Sequence, residues 1–335
     1  MGKTPAFIAT SLIISAFLYV SFQMFVPALH RSVPLEVKVE KGMSFREATR
    51  MLAGHGLVRD EKVFVALGRL TGLDRGLTPG FYSFFGNVSP WKVFVSLWRG
   101  NVISWQVTVV EGDTLEDIKD KLVGKGITTE EEFDSLASDP GLLEALKVDA
   151  PSLEGYLFPD TYRIPKGLGP RDIFTMMVNR LRHSYTDKML ARAEELGLSE
   201  RDMLALASII EKEAVYNSER PVISAVYHNR LAKGMPLQAD PTAVYGVKPM
   251  RFGITRRDIR RKTDYNTYFI KGLPPGPIAS PGLQSIKAAL YPSDVSYLYF
   301  VSNNDGTHTF SVTLEEHLKA VETYRSLKAA SGVEG

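Results

Sequence analysis

The run AFIATSLIISAFLYVSFQMF, Ala6 to Phe25, holds twenty residues without a charge. Twenty helical residues extend about 30 Å, the thickness of one bilayer core. The run is too long for the apolar part of a cleavable signal, and no small-x-small cleavage site follows it. A single membrane anchor is therefore expected. Flanking charge does not orient it, since Lys3 precedes the run while Arg31 and Lys38 follow. Long domains translocate largely regardless of flanking charge, so the bulk is expected outside the membrane.

The rest of the chain has to fold without covalent staples. None of the 335 residues is cysteine, which excludes disulfides and thiolate metal sites. The net charge is +2, and the basic group Arg256, Arg257, Arg260, Arg261 and Lys262 reads as a solvated face. No nucleic-acid partner is expected.

Two stretches repeat at an offset of 70 residues: VKVEKGMSFREATRMLAGHGLV from Val37 and VTVVEGDTLEDIKDKLVGKGIT from Val107. Matching pairs include Val39/Val109, Gly42/Gly112, Ser44/Thr114, Leu52/Leu122 and Gly56/Gly126. Each copy reads as a strand, a glycine turn, a capped amphipathic helix and a glycine stop. Trp91 and Trp98, at i and i+7 on a helix between the copies, are expected in the core. Beyond about Met189, Ser199 with Asp202 caps a helix, Ile223 to Met235 forms another, and YLYFVS with HTFSVT forms a hairpin. Strands and helices without βαβ alternation give an α+β class.

The helix LALASIIEKEA, Leu204 to Ala214, ends in two glutamates. At about 100° per residue, Glu211 and Glu213 point some 200° apart and cannot converge on one atom. At most one does chemistry, and a salt-bridging role for both remains open. On this wheel Ala205, Ser208 and Lys212 share the exposed side. A carboxyl beside apolar surface holds its proton at neutral pH, as a general acid requires. Ala207 and Ser208 leave space around Glu211, whereas Glu213 stacks over Ile209 and Ile210. The six histidines lack ligand spacing, no H-E-x-x-H or G-x-S-x-G occurs, and neither metal nor cofactor is expected.

EGYLFPDTYRI from Glu154, LASIIEKEA, VYHNRLAKGMPLQADPTAVYG from Val226, YNTYFIKGLPPGPIASPG from Tyr265 and YLYFVSNNDGTHTFS from Tyr297 follow in that order. Together they closely resemble the MltG (YceG-like) family of endolytic murein transglycosylases over essentially the whole chain. The resemblance implies a bacterial inner-membrane, single-pass lyase facing the periplasm or outer surface and working with the cell-wall synthesis machinery. Such enzymes cut nascent peptidoglycan between N-acetylmuramic acid and N-acetylglucosamine and leave a 1,6-anhydro end. It implies a division into anchor and linker (1–32), a LysM-like repeat module (33–145) and a catalytic domain (146–335). Glu211 becomes the first choice for the single acid and base, with Glu213 supporting it. Gln238, Asp240, Asn229, Tyr265, Asn266 and Tyr268 become the expected groove. The alternative is a membrane-tethered, glycan-binding scaffold that no longer cuts.

Overall fold

The computed structural model describes residues 4–248 and 252–330. Its contacts divide the chain into two compact units. The first comprises residues 1–106 with 163–168, the second 107–162 with 169–335. The division falls at Gln106/Val107 and not near the expected residue 145, so the second copy of the repeat is grouped with the C-terminal residues.

In the first unit, α1 (Thr4–Phe25) leads into β1 (Leu29–Val39). Among the described residues α1 is the one helix long and apolar enough to cross a membrane. β1 pairs antiparallel with β2 (Gly80–Val88), from Leu29↔Val88 to Val39↔Gly80. The register shifts between Arg31 and Leu35, the interval holding Pro34, which has no N–H to give to a ladder. Between the strands lie α2 (Phe45–Gly54) and α3 (Glu61–Thr71), and after them α4 (Pro90–Trp98). Val37, Val39, Phe45, Leu52, Phe64, Tyr82, Phe84, Phe94 and Leu97 form the core. Trp91 and Trp98, expected inside, lie on the outer side of α4, 39% and 60% exposed. Val93, Phe94 and Leu97 take the inner side, so the i, i+7 pair marks the opposite stripe of the helix.

The repeat is visible in local geometry. Ser44 with Glu47 and Thr114 with Asp117 close equivalent capping boxes on α2 and on α5 (Leu115–Val123). The paired glycines Gly42/Gly112 and Gly56/Gly126 all have positive φ, which a side chain would oppose. β3 (Ser104–Thr108) and β4 (Thr161–Pro165) form a two-stranded ribbon, and the chain passes between units within both strands.

The second unit continues with α6 (Glu130–Ala137), α7 (Pro140–Ala145), α8 (Pro170–His183) and α9 (Asp187–Glu195). Its centre is α10 (Glu200–Glu213), started by the Ser199–Asp202 capping box. Every residue from Met203 to Ile210 is buried, Ala205 and Ser208 included. The exposed side expected for those two is absent, because α11 (Arg220–Ala232), α12 (Asp240–Val244) and α14 (Leu283–Leu290) pack around the helix. A helix covered on all sides shows no polar face. Ser208 Oγ meets its burial by donating to Ala205 O at 2.8 Å and accepting Ile278 N–H at 3.0 Å. After α13 (Arg256–Ile259), the antiparallel hairpin β5 (Tyr299–Ser302) and β6 (His308–Ser311) precedes α15 (Leu314–Ala330). The molecule is mixed α+β, as the sequence pattern implied.

Candidate active site

A helix buried to its last turn must release its charged residues where the covering elements part. Glu211, Lys212 and Glu213 leave the end of α10 in different directions. Lys212 Nζ donates to Gly112 O at 3.2 Å.

Glu211 is closed off on both oxygens. Arg220 Nη2 lies 3.0 Å from Oε1, and the Gly282 amide donates to Oε2 at 2.9 Å. The two side chains of the ion pair are 6% and 7% exposed. Arg220 is further fixed by donating to Ser285 Oγ (2.5 Å) and Asn217 Oδ1 (2.8 Å). The open space expected around Glu211 is filled by this guanidinium. Glu111 completes the cluster, its carboxyl raised by burial and by the neighbouring Glu211, against the pull of Arg220. A Cβ on Gly282 would stand 1.9 Å from Glu111 Oε1, so only glycine fits beside that carboxyl as placed. The Glu111 loop is joined to the Gly282 loop by Gly112 N–H to Ser280 O (2.8 Å) and Ser280 N–H to Asp113 O (2.7 Å).

Glu213 faces another environment. The residue is half-buried, while its carboxyl is enclosed by protein, and burial pushes it up to about 8, helped by the charge of Asp240. The Tyr227 hydroxyl, the Asp240 amide and Arg230 pull the other way without overcoming this. Tyr227 is buried on the adjoining helix α11. Asp240 Oδ1 accepts from Tyr268 Oη at 2.6 Å. Gln238 stands beside it at φ 50°, its backbone N–H donating to Thr267 O at 3.1 Å. Expected groove residues Asp240 and Tyr268 thus gather around Glu213, not Glu211, while the Gln238 side chain lies 3.5 Å from Arg230 Nη1.

A third carboxyl, Glu154, is buried and pushed up to about 7 by that burial. The Leu115 amide lies 3.2 Å from both its oxygens, and Tyr245 Oη donates to one at 3.2 Å. Tyr265 packs against Tyr245 with ring centroids 4.5 Å apart. Glu154, Glu111, Lys212 and Tyr245 line a cleft of about 800 Å³ within the second unit. The sequence reading did not single out Glu111, Glu154 or Arg220. One signal for Glu111 was present, since the equivalent position of the first repeat is Lys41.

The asparagines are occupied elsewhere. Asn229 Nδ2 donates to Val295 O and Tyr297 O (2.8 and 2.9 Å). Asn266, fully buried, donates to Ile259 O and Arg261 O (3.0 and 2.6 Å). Both tie loops together. Among the described residues no His, Asp and Glu cluster has an arrangement that would hold a metal ion.

The pattern of the YceG-like family matches residues 37–323. The chain belongs to the YceG-like family. It is 31% identical over 310 residues to a Bacillus subtilis protein named endolytic murein transglycosylase, covering 88% of this chain and 86% of that one. A Streptococcus pneumoniae protein of the same name is 26% identical over 87% of this chain and 58% of its own length. Among solved structures, a yceG-like protein from Listeria monocytogenes superposes with a TM-score of 0.60 at 30% identity, covering 87% of this chain and all of that one.

Proposed function

We propose that this YceG-like protein is an endolytic lytic transglycosylase of peptidoglycan, with Glu213 as its single general acid and base. Relatives named for this activity support the reaction class. The observation that carries the residue is the enclosed carboxyl of Glu213, pushed up to about 8 by burial and by the charge of Asp240, whose Oδ1 accepts from Tyr268 Oη. Such a carboxyl carries its proton at neutral pH and can give it to a glycosidic oxygen. Glu211, with one oxygen on a guanidinium and one on an amide, braces the helix that carries Glu213.

The chemistry closes on one residue. Glu213 gives its proton to the oxygen between N-acetylmuramic acid and N-acetylglucosamine, and the bond from that oxygen to the anomeric carbon breaks. The sugar's own 6-hydroxyl then bonds to the anomeric carbon and returns its proton to Glu213. Water is not consumed, and the strand ends in 1,6-anhydro-muramic acid. The attack is intramolecular, so proximity replaces a second catalytic carboxylate. Asp240 serves to keep Glu213 protonated, and Gln238 and Tyr268 offer polar groups to the sugars. The repeat region supplies a second glycan contact in the manner of a LysM-like module. Helix α1 anchors the chain in the cytoplasmic membrane with the remainder outside, beside the machinery that makes the strands.

The test is incubation of the full chain in detergent with purified glycan strands, with mass spectrometry of the new ends. Anhydro-muramyl ends are expected from the wild type and, at 10²- to 10⁴-fold lower rate, from Glu213→Gln. Normal cutting by that variant moves the acid elsewhere. A wild type that binds strands without cutting leaves the scaffold reading.

A further inference from the structure

The end of α1 is gripped by the first unit. From Phe7 to Val20 every residue is exposed, cover begins at Ser21, and Met24 is buried. Tyr19 Oη donates to Asp60 Oδ2 at 2.6 Å. Asp60 is itself fixed as the N-cap of α3, its Oδ1 accepting the amides of Lys62 (2.8 Å) and Val63 (3.1 Å). Arg59 donates to Val26 O (3.1 Å) and Pro27 O (2.5 Å), reaches Phe22 O at 3.4 Å, and stands 5.1 Å over the Phe22 ring. It thereby serves carbonyls at and just beyond the end of the helix. At α4, the Trp91 ring lies 5.3 Å from that of Phe25.

This grip conflicts with the length of the apolar run. Phe7–Phe25 would extend about 28 Å and fill a bilayer core by itself. Tyr19, however, is bonded to a carboxylate, and hydrocarbon strongly disfavours one. With the grip intact, the hydrocarbon boundary falls before Tyr19. Thr4 to Leu18 then remain, roughly 22 Å of helix against a core of roughly 30 Å. A short span is accommodated by local thinning and by drawing flanking groups to the interface.

We propose that the first unit is seated in the phospholipid headgroup layer, with its Arg59–Lys62 corner and Trp91 at the interface. The clamp, not the apolar run, sets the depth of the anchor. Tryptophan and tyrosine favour that layer. Trp91 and Trp98 are exposed along one side of α4, and Lys62 and Lys92 are exposed cations suited to lipid phosphate. The proposal rests on reading α1 as a membrane anchor.

The absence of cysteine allows a clean test in the full chain reconstituted into phospholipid vesicles. Single cysteines at exposed positions (Ile13→Cys, Val20→Cys, Lys62→Cys and Glu322→Cys) are spin-labelled, and depth is read from oxygen against nickel-chelate accessibility. Ile13 is expected deep and Glu322 in bulk water. Val20 and Lys62 are expected at one intermediate depth, with nickel accessibility severalfold above Ile13 and severalfold below Glu322. Val20 as deep as Ile13, or Lys62 as wet as Glu322, overturns the seat. A wet Ile13 instead removes the anchor reading, and the seat with it.

Discussion

Glu211→Gln separates bracing from chemistry at the end of α10. The side chain keeps its shape, but its single remaining oxygen can accept from Gly282 N–H or from Arg220, not from both. The new NH₂ then faces a donor. Breaking a buried ion pair by removing one partner costs about 3–5 kcal/mol, and Arg220 is only 7% exposed on its side chain. Glu111 limits the loss, because its carboxyl already lies within the influence of Arg220 and can take over part of the pairing. The lower end, about 3 kcal/mol, is expected. For a unit of this size each kcal/mol moves the midpoint by roughly 2–4 °C, so the transition should fall by about 6–12 °C. Calorimetry and chemical unfolding of the same preparation check this. At a temperature where the variant is folded, glycan cutting should fall less than tenfold. Adding Arg220→Met should restore part of the stability, because neither charge is then left alone. Should Glu211→Gln lose less than about 1 kcal/mol and yet cut no glycan, the bracing role is wrong and Glu211 is the acid.

Glu213 also makes stability depend on pH. Its carboxyl is raised in the folded chain, so between its ordinary 4.5 and about 8 the folded state holds a proton the unfolded state has lost. Stability from this group is therefore full below 4.5 and declines as pH rises towards 8. At about 1.4 kcal/mol per tenfold change in proton affinity the full decline is at most roughly 5 kcal/mol. Wild type measured against Glu213→Gln across pH 5–8 should show the gap, and a constant difference would refute it. Glu154→Gln should show the same sign over a narrower window ending near 7. Gly155→Ala should cost about 3 kcal/mol of unfolding free energy, from a side chain at positive φ and from overpacking. Its φ is 77°, and a Cβ there would stand 2.3 Å from a carbon of the Pro277 ring.

What the sequence reveals here is mostly local. The Ser199–Asp202 cap, the paired turn glycines and the terminal hairpin each depend on residues within a few positions of one another. So does the divergence of Glu211 from Glu213, which follows from helical rotation alone. The chemical state of those glutamates is decided at a distance: the amide on Glu211 comes from Gly282, 71 residues away. Ser208 and Ala205 read as exposed on a helical wheel because a wheel cannot count the elements that cover it. Asn229 and Asn266 are polar residues of the resembling motifs, and their amides hold backbone carbonyls of distant or neighbouring loops. Trp91 and Trp98 share spacing that fits either face of a helix, and the sequence does not say which stripe turns inward.

The first unit is finished by a segment made late. Its contacts include residues 163–168, which are separated from Gln106 by about 56 residues belonging to the second unit. At about 5–20 residues per second, those intervening residues take roughly 3–11 s to synthesise. Over that interval β3 has been made and its partner strand β4 has not. The earliest part of the chain to emerge is thus left with an open strand edge while the next unit is being made. The first unit cannot be completed before residue 168 is made, and a nascent chain halted near residue 150 should expose that edge to proteases or to holding chaperones.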